Sequence, residues 1–139
     1  MKRAAIYTRF STDKQSDAST EDQRRLCERV AGARIVAVHS DDAVSGSTPF
    51  TQRPGGRAVL ADVLAKRVDL LLVESLDRIS RDQVDLERTV RRIEHNGVRI
   101  VGVSDGYDSA AASRKVVRAV RGIVAEMYLD DLRAKTHRG

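Results

Sequence analysis

Short apolar runs alternate with longer amphipathic stretches along the first hundred residues of the chain. The runs at 3–8, 34–39, 69–73 and 98–103 have the length of β-strands. The run at 69–73, DLLLV, is almost entirely apolar. Such a strand is typical of a sheet that is covered on both faces.

Amphipathic helices are predicted between these strands. The first begins near Thr20, where Thr20 and Gln23 have the T-x-x-Q spacing of a capping box. The second covers about 57–67, and the third runs over about 82–95 and ends at Gly97. The alternation of strands and helices predicts an α/β fold with a mostly parallel central sheet flanked by helices.

One long helix is predicted over about 110–137. Apolar residues recur at helical spacing between 116 and 127, and the helix would span roughly 40 Å. We therefore divide the chain into an α/β core at 1–109 and a helical segment at 110–139. The apolar stripe predicts a homodimer in which two copies of this helix meet, the alternative being that the helix folds back onto its own core.

Composition is that of a globular domain, with 139 residues of which 41% are hydrophobic. The single cysteine, Cys27, excludes an internal disulfide, fits a reducing cytoplasm and is predicted to be a small core residue. The first apolar run is too short for a signal peptide, and no stretch approaches the ~20 apolar residues of a membrane span. A cytoplasmic protein without membrane association is expected.

Positive charge is concentrated near the C-terminus. The net charge is +5, and seven Lys/Arg against three Asp/Glu from residue 114 onward supply +4 of it. A basic segment of this kind indicates a polyanion such as DNA, although a solvated helix face would have the same composition. The candidates for DNA contact are Arg114, Lys115, Arg118 and Arg121.

Several kinds of site are excluded by what the sequence lacks. It contains neither GxxxxGK[ST] nor GxGxxG, the signatures of common nucleotide-binding loops. Three histidines and one cysteine, far apart in sequence, are too few for a zinc site. Asp41 and Asp42 are adjacent and would point to opposite sides of an extended segment, so they make a poor metal pair. No metal and no other cofactor is expected.

Two clusters of polar residues follow predicted strands. Tyr7, Arg9 and Ser11 alternate at the end of the first strand, so their side chains are expected on one side. Arg78 and Arg81 follow DLLLV, and one helical turn would align them. Ligands of open α/β sheets bind outside the carboxyl ends of strands, where both clusters lie.

The segment 43–56 lies between the two clusters and contains three of the nine glycines and both prolines. This composition predicts a mobile loop that is poorly ordered without substrate. Arg53 belongs to this segment, and we expect it to reach the site only when substrate binds.

Arginines around a serine suit phosphoryl transfer. A phosphodiester under attack gathers negative charge on its non-bridging oxygens, which guanidinium groups match in shape and charge. Arginines can supply this stabilisation without a metal, and a serine hydroxyl can form the covalent intermediate. Serine-dependent, metal-free attack on a phosphodiester is therefore predicted.

The order of these motifs resembles the resolvase/invertase family of serine site-specific recombinases, over the whole chain. The strings that carry the resemblance are YTRFS at 7–11, Gln15, Gln23, SG at 45–46, RP at 53–54, LDRISRD at 76–82 and the terminal LRAKTHRG. The long spacing from Ser11 to Gln23 is more similar to the large serine recombinases than to the small resolvases.

The resemblance implies that Ser11 attacks a DNA phosphate, becomes linked to the 5′ end and frees a 3′ hydroxyl without ATP. It implies that homodimers assemble into a tetramer that cuts two duplexes, exchanges strands by subunit rotation and religates them. Four arginines would bind the scissile phosphate: Arg9, Arg53, Arg78 and Arg81. Asp77 would position an arginine or help protonate the leaving oxygen. Three residues would support the site: Tyr7, Gln15 and Gln23.

Two other functions are considered. A catalytically silent module that only dimerises on DNA has no need of an intact Ser11 and four arginines. A phosphatase or nuclease on an α/β sheet usually needs a metal or a cysteine, and the sequence offers neither set of ligands. Members of the family carry a DNA-binding region after the long helix, so we expect the sequence to be one domain of a longer protein. Alone, it should bind DNA weakly and without sequence preference.

Overall fold

The computed structural model describes residues 1–11 and 19–111, and its centre is a five-stranded sheet. The strands are β1 (Lys2–Arg9), β2 (Ala33–Asp41), β3 (Leu70–Val73), β4 (Arg99–Gly102) and β5 (Tyr107–Asp108). They lie in the order β2-β1-β3-β4-β5; the first four are parallel, and β5 runs antiparallel to β4. The predicted mostly parallel sheet is confirmed.

Helices cover both faces of this sheet. They are α1 (Thr20–Glu28), α2 (Pro54–Leu64), α3 (Leu76–Ile79) and α4 (Gln83–His95), with a 3₁₀ turn at Phe50–Gln52 before α2. Side chains of α2 and α4 pack with Leu71 and Val73 on one face, while Cys27 of α1 packs with Ala4 and Ile6 on the other. Cys27 is fully buried, as predicted. Successive side chains of β1 point to opposite faces of the sheet, and both faces are covered. This explains why the strand is buried from Ala4 to Arg9.

The predicted capping box at the start of α1 is wrong, although the helix does begin at Thr20. Ser19 is the N-cap, and its hydroxyl accepts a hydrogen bond from the Asp22 amide at 3.1 Å. Gln23 is fully buried and pairs with the main chain of Arg9 instead. Its side chain is therefore turned away from the helix end that it was expected to cap.

The start of α2 is three residues earlier than predicted. Pro54 is the first residue of the helix, a position where its missing N–H group costs no hydrogen bond. Gly56 follows in the first turn, where a Cβ atom would lie only 2.2 Å from the Phe50 carbonyl oxygen. The glycine therefore permits the 3₁₀ turn to pack directly against the helix. The C-terminal end of α4 also differs slightly from the prediction. The helix ends at His95 and its C-cap is Asn96, so Gly97 lies one residue beyond the cap.

The segment 43–56 was predicted to be a mobile loop, but the side chains of Phe50 and Arg53 are buried in the interior of the domain. Phe50 is fully buried with its ring edge-on to Tyr7, the centroids 5.1 Å apart at 66°. The Arg53 guanidinium lies 5.5 Å from the centroid of the Phe50 ring and is also fully buried. The expectation that Arg53 stays away from the site until substrate binds is wrong.

The chain divides into two compact units, Met1–Ser109 and Ala110–Gly139. The predicted long helix lies outside the described residues except for its first two positions. So do five of the residues assigned to the site or to DNA: Gln15, Arg114, Lys115, Arg118 and Arg121. Within residues 1–11 and 19–111, no helix has the length and apolar character needed to cross a membrane.

Candidate active site

The two arginine-bearing clusters meet at the centre of the sheet. β1 and β3 are neighbours there, with β2 on the outer side of β1 and β4 on the outer side of β3. The strand order therefore reverses between β1 and β3, which is where a crevice opens at the carboxyl ends of an α/β sheet. Ser11 follows β1, and α3 follows β3. The topology thus brings both clusters to the edge where ligands bind.

Arg9 ends β1 and is fully buried. Its guanidinium donates to three main-chain carbonyl oxygens, from Nε to Arg78 at 3.2 Å, from Nη1 to Val44 at 2.8 Å and from Nη2 to Asp77 at 3.1 Å. These bonds tie β1 to α3 and to the segment that follows β2. Arg9 is therefore the structural centre of the crevice as well as a source of positive charge.

The main chain of Arg9 is fixed by the side chain of Gln23. The Arg9 amide donates to Gln23 Oε1 at 3.1 Å, and Gln23 Nε2 donates to the Arg9 carbonyl oxygen at 2.9 Å. Only a carboxamide can donate and accept in this way, because a carboxylate has no hydrogen to give. Gln23 therefore holds the end of β1 two residues before Ser11.

Arg53 makes four hydrogen bonds from its buried guanidinium. Nε donates to the Thr48 carbonyl at 2.9 Å, and Nη2 donates to the Gly46 carbonyl at 3.2 Å. Nη1 donates to the Arg78 carbonyl at 2.9 Å and to the Tyr7 hydroxyl oxygen at 3.1 Å. One side chain thus joins the 46–48 segment, α3 and β1.

Asp41 is a buried member of the site that the sequence did not mark. Its carboxylate accepts from the Tyr7 hydroxyl at 2.7 Å and from the amides of Gly55 at 2.8 Å and Gly56 at 3.0 Å. It therefore satisfies free N–H groups at the start of α2. Burial raises the pKa of Tyr7 above its usual range, so the hydroxyl keeps the proton that it donates to Asp41. The chain Asp41–Tyr7–Arg53 links β2, β1 and α2.

Arg78 and Asp77 lie in the single turn of α3. Arg78 is 6% exposed; its Nη1 donates to the Arg9 carbonyl at 3.2 Å, and its Nη2 lies 3.3 Å from a Glu74 carboxylate oxygen. Asp77 is exposed, and it contacts Arg9 through its carbonyl rather than its carboxylate. Its carboxylate is therefore on the solvent side of the turn.

Arg78 and Arg81 are not aligned by one helical turn, contrary to the prediction. α3 ends at Ile79, and Ser80 is extended, with φ −165° and ψ 147°. Arg81 is consequently exposed, and its amide donates to the Gly46 carbonyl at 3.0 Å. A Cβ atom on Gly46 would lie 2.6 Å from Arg81 Cγ and 3.0 Å from Arg9 Nη2. Gly46 thus lets both arginines approach the same stretch of backbone.

Positive charge accumulates in the crevice as a result. Burial lowers the pKa of Arg9 below its usual range, and the charges of Arg53 and Arg81 lower it further. Groups that disfavour one another's charge in this way favour an anion placed between them. The crevice is therefore suited to a phosphate group.

Ser11 lies immediately after β1 and is 5% exposed. Its Oγ is buried and has no hydrogen-bond partner within the part of the chain that the structure describes. A buried hydroxyl without a partner costs roughly 1–3 kcal/mol, so such groups are rare in folded proteins unless they have a role. Ser11 is therefore the candidate nucleophile of this crevice.

Comparison with known proteins agrees with this geometry. A family model described as the N-terminal domain of resolvase matches residues 4–139. The chain belongs to the resolvase family of serine recombinases. This recombinase domain is 33% identical over 144 residues to the serine recombinase PinR of Escherichia coli K12, covering 100% of the chain and 69% of PinR. It is 32% identical over 144 residues to the Tn2501 resolvase of Escherichia coli, covering 100% of the chain and 70% of that resolvase.

Solved structures show the same fold. The N-terminal catalytic domain of TP901-1 integrase matches with a TM-score of 0.78 and 26% identity, over 93% of the recombinase domain and 98% of that chain. A resolvase family site-specific recombinase from Streptococcus pneumoniae matches with a TM-score of 0.74 and 26% identity, over 100% and 95%. The family and the fold class predicted from the sequence are both confirmed.

Proposed function

We propose that this chain is the catalytic domain of a site-specific DNA recombinase that cuts and rejoins DNA through Ser11. The observation that carries the proposal is the buried Oγ of Ser11, which has no hydrogen-bond partner among residues 1–11 and 19–111, beside a crevice held by arginines. The related proteins are named serine recombinases, resolvases and invertases, which supports the enzyme over a silent dimerisation module.

The reaction exchanges one phosphate ester for another. Ser11 Oγ loses its proton and forms a bond to phosphorus, while the bond from phosphorus to the 3′ oxygen breaks and that oxygen gains a proton. The 5′ phosphate is then an ester of serine. Because the number of phosphate ester bonds is unchanged, a 3′ hydroxyl from a partner strand can reverse the step without ATP.

We assign two roles to the four arginines. Direct contact with the scissile phosphate is assigned to Arg78, which is 6% exposed in α3, and to Arg81, which is exposed two residues after α3. Arg9 and Arg53 direct their guanidinium groups at main-chain carbonyls and hold the 44–48 segment in place. Their charge contributes to the field at the phosphate, because it acts over distances longer than a hydrogen bond.

The remaining assigned residues act around this centre. We assign to the exposed Asp77 a role in positioning an arginine or in helping to protonate the leaving 3′ oxygen, as the family resemblance implies. Tyr7 and Gln23 support the arginines through the contacts described above. We retain Gln15 as a supporting residue on the family resemblance alone.

DNA is the proposed substrate, and the working assembly is a homodimer that forms a tetramer when two sites pair. The basic residues of the 110–139 segment would flank the dimer contact or face DNA: Arg114, Lys115, Arg118 and Arg121. A single buried cysteine fits the reducing cytoplasm in which such a reaction would take place. Sedimentation over a concentration series would test the dimer, with Ile123→Asp expected to weaken it.

The proposal is tested by trapping the covalent intermediate. The full-length protein is incubated with a suicide duplex that carries its crossover site, and the protein–DNA adduct is resolved on a denaturing gel. Ser11→Ala should form no adduct while changing the free energy of unfolding by less than ~1 kcal/mol. Ser104→Ala removes an exposed hydroxyl and keeps the main-chain hydrogen bond of Ser104, so it should form the adduct normally. A chelator should not inhibit adduct formation. An adduct with Ser11→Ala would contradict the assignment.

A further inference from the structure

The turn that follows β4 is hydrogen-bonded along the segment leading from β3 into α3. The Val103 amide donates to the Val73 carbonyl at 2.9 Å, and the Ser104 amide donates to the Glu74 carbonyl at 2.7 Å. The Asp105 carboxylate then accepts from the Leu76 amide at 2.7 Å. The turn thus follows the backbone of 73–76 up to the first residue of α3.

The amide that Asp105 binds belongs to a helix without a cap of its own. Ser75 is the N-cap of α3, but its side chain makes no capping hydrogen bond. The amides in the first turn of a helix have no partner within the helix and are usually capped by the residue just before it. Asp105 supplies this cap from 29 residues further along the chain.

The capped turn is the element on which the arginines converge. It carries Arg78, and its Asp77 and Arg78 carbonyls accept the hydrogen bonds of Arg9 and Arg53. Leu76 and Ile79 anchor the four-residue α3 in the core, and the Asp105 carboxylate fixes the amide of its first residue. A displacement of its first residue would therefore move the carbonyls and the guanidinium group together.

We propose that Asp105 is a positioning residue for DNA cleavage, which caps α3 and thereby fixes Arg78 and the carbonyls that hold Arg9 and Arg53. This inference rests on the proposed function. Asp105 does not touch the phosphate; it acts through the Leu76 amide. Loss of its carboxylate should slow the chemical step and leave DNA affinity nearly unchanged.

Asp69 provides a matched control. Like Asp105 it accepts a main-chain hydrogen bond through its carboxylate, from the Arg3 amide at 3.1 Å. It lies at the start of β3, at the opposite end of the sheet from the crevice. Asp69→Ala therefore removes a carboxylate that binds a main-chain amide, together with its contacts to the Arg3 guanidinium, from a place where it cannot affect α3.

The experiment uses the full-length protein with the suicide duplex in single-turnover conditions, and measures the cleavage rate and the dissociation constant separately. Asp105→Ala should cleave about tenfold more slowly at unchanged affinity, since misplacing catalytic groups by a fraction of an ångström has effects of this order or larger. Asp105→Asn keeps an oxygen acceptor and should recover most of the rate. Asp69→Ala should cleave at the wild-type rate.

Hydrogen exchange of the Leu76 amide in the same variants supplies a readout that does not depend on DNA. Asp105→Ala should accelerate it roughly fivefold, the factor expected from losing a helix cap, and Asp69→Ala should leave it unchanged. The proposal is overturned if Asp105→Ala cleaves normally, if Asp105→Asn gives no recovery, or if Asp69→Ala is equally slow. If the wild-type protein forms no adduct, the proposed function itself fails, and the exchange of Leu76 still reports whether Asp105 caps α3.

Discussion

Replacement of Arg53 by lysine should destabilise the protein although it conserves the charge. Arg53 is fully buried, and its guanidinium makes four hydrogen bonds in different directions. A lysine ammonium has three donors on a single nitrogen and cannot reproduce the planar spread of the guanidinium. Nε and Nη2 bind the carbonyls of Thr48 and Gly46, whereas Nη1 binds the Arg78 carbonyl and the Tyr7 hydroxyl. A single ammonium nitrogen cannot keep both pairs of hydrogen bonds.

The magnitude follows from the number of hydrogen bonds lost. Two hydrogen bonds from a charged donor contribute roughly 1.5–3 kcal/mol each, and loss of the guanidinium from the Phe50 ring adds about 0.5 kcal/mol or more. We expect the free energy of unfolding to fall by about 3 kcal/mol, allowing for partial relaxation. For a domain of this size, the midpoint of thermal unfolding should fall by about 10 °C.

Urea and thermal unfolding followed by circular dichroism would measure both quantities. Arg57→Lys is the matched control, because Arg57 lies one turn later in α2 and is exposed. Its stability should stay within about 0.5 kcal/mol of the wild type. If Arg53→Lys were as stable as Arg57→Lys, the hydrogen bonds seen around Arg53 would not determine the fold of the 43–56 segment.

One further substitution and two properties of Cys27 test other parts of the core. Gln23→Glu removes the donor to the Arg9 carbonyl and places a carboxylate against that oxygen. The free energy of unfolding, measured in urea at pH 7, should therefore fall by about 2 kcal/mol. Stability equal to that of the wild type would contradict this pairing. Burial raises the pKa of Cys27 from 9.0 to about 12, so the thiol should react with a disulfide reagent at pH 8 only after unfolding. Because the unfolded thiol ionises first, stability should also fall as the pH rises from about 9 towards 12; rapid reaction of the native protein would refute this burial.

Local patterns predicted the sheet well for a physical reason. A run such as Leu70–Val73 is apolar because both faces of its strand are covered, and that requirement can be read within a few residues. The same patterns predict where β1 and β3 end. Because the carboxyl ends of parallel strands lie at the same edge of a sheet, the arginine-bearing clusters that follow them could be placed at that edge. The predicted capping box failed because Gln23 has a distant partner, the main chain of Arg9.

Asp41 shows what local patterns leave out. Beside Asp42 it looked like half of a poor metal pair, and its actual partners are Tyr7 and the amides of Gly55 and Gly56. The available signal was the combination of an acid at the end of a predicted strand with a later Pro-Gly-Gly that opens a helix. That combination has meaning only once β2 and α2 are known to be adjacent, which depends on the tertiary structure.

The choice of partners for Arg9 and Arg53 bears on function more than their burial does. Buried guanidinium groups are usually paired with carboxylates, which satisfy their donors and cancel their charge. Here the donors are satisfied mainly by carbonyl oxygens, which are neutral, and by the hydroxyl of Tyr7. Asp41 binds that hydroxyl rather than the guanidinium. Hydrogen bonding is thereby met without neutralisation, so the positive charge remains available to a phosphate. The sequence motif of arginines and a serine does not predict whether Arg9 and Arg53 bind neutral or charged oxygens. That choice depends on which oxygens the fold places beside each arginine.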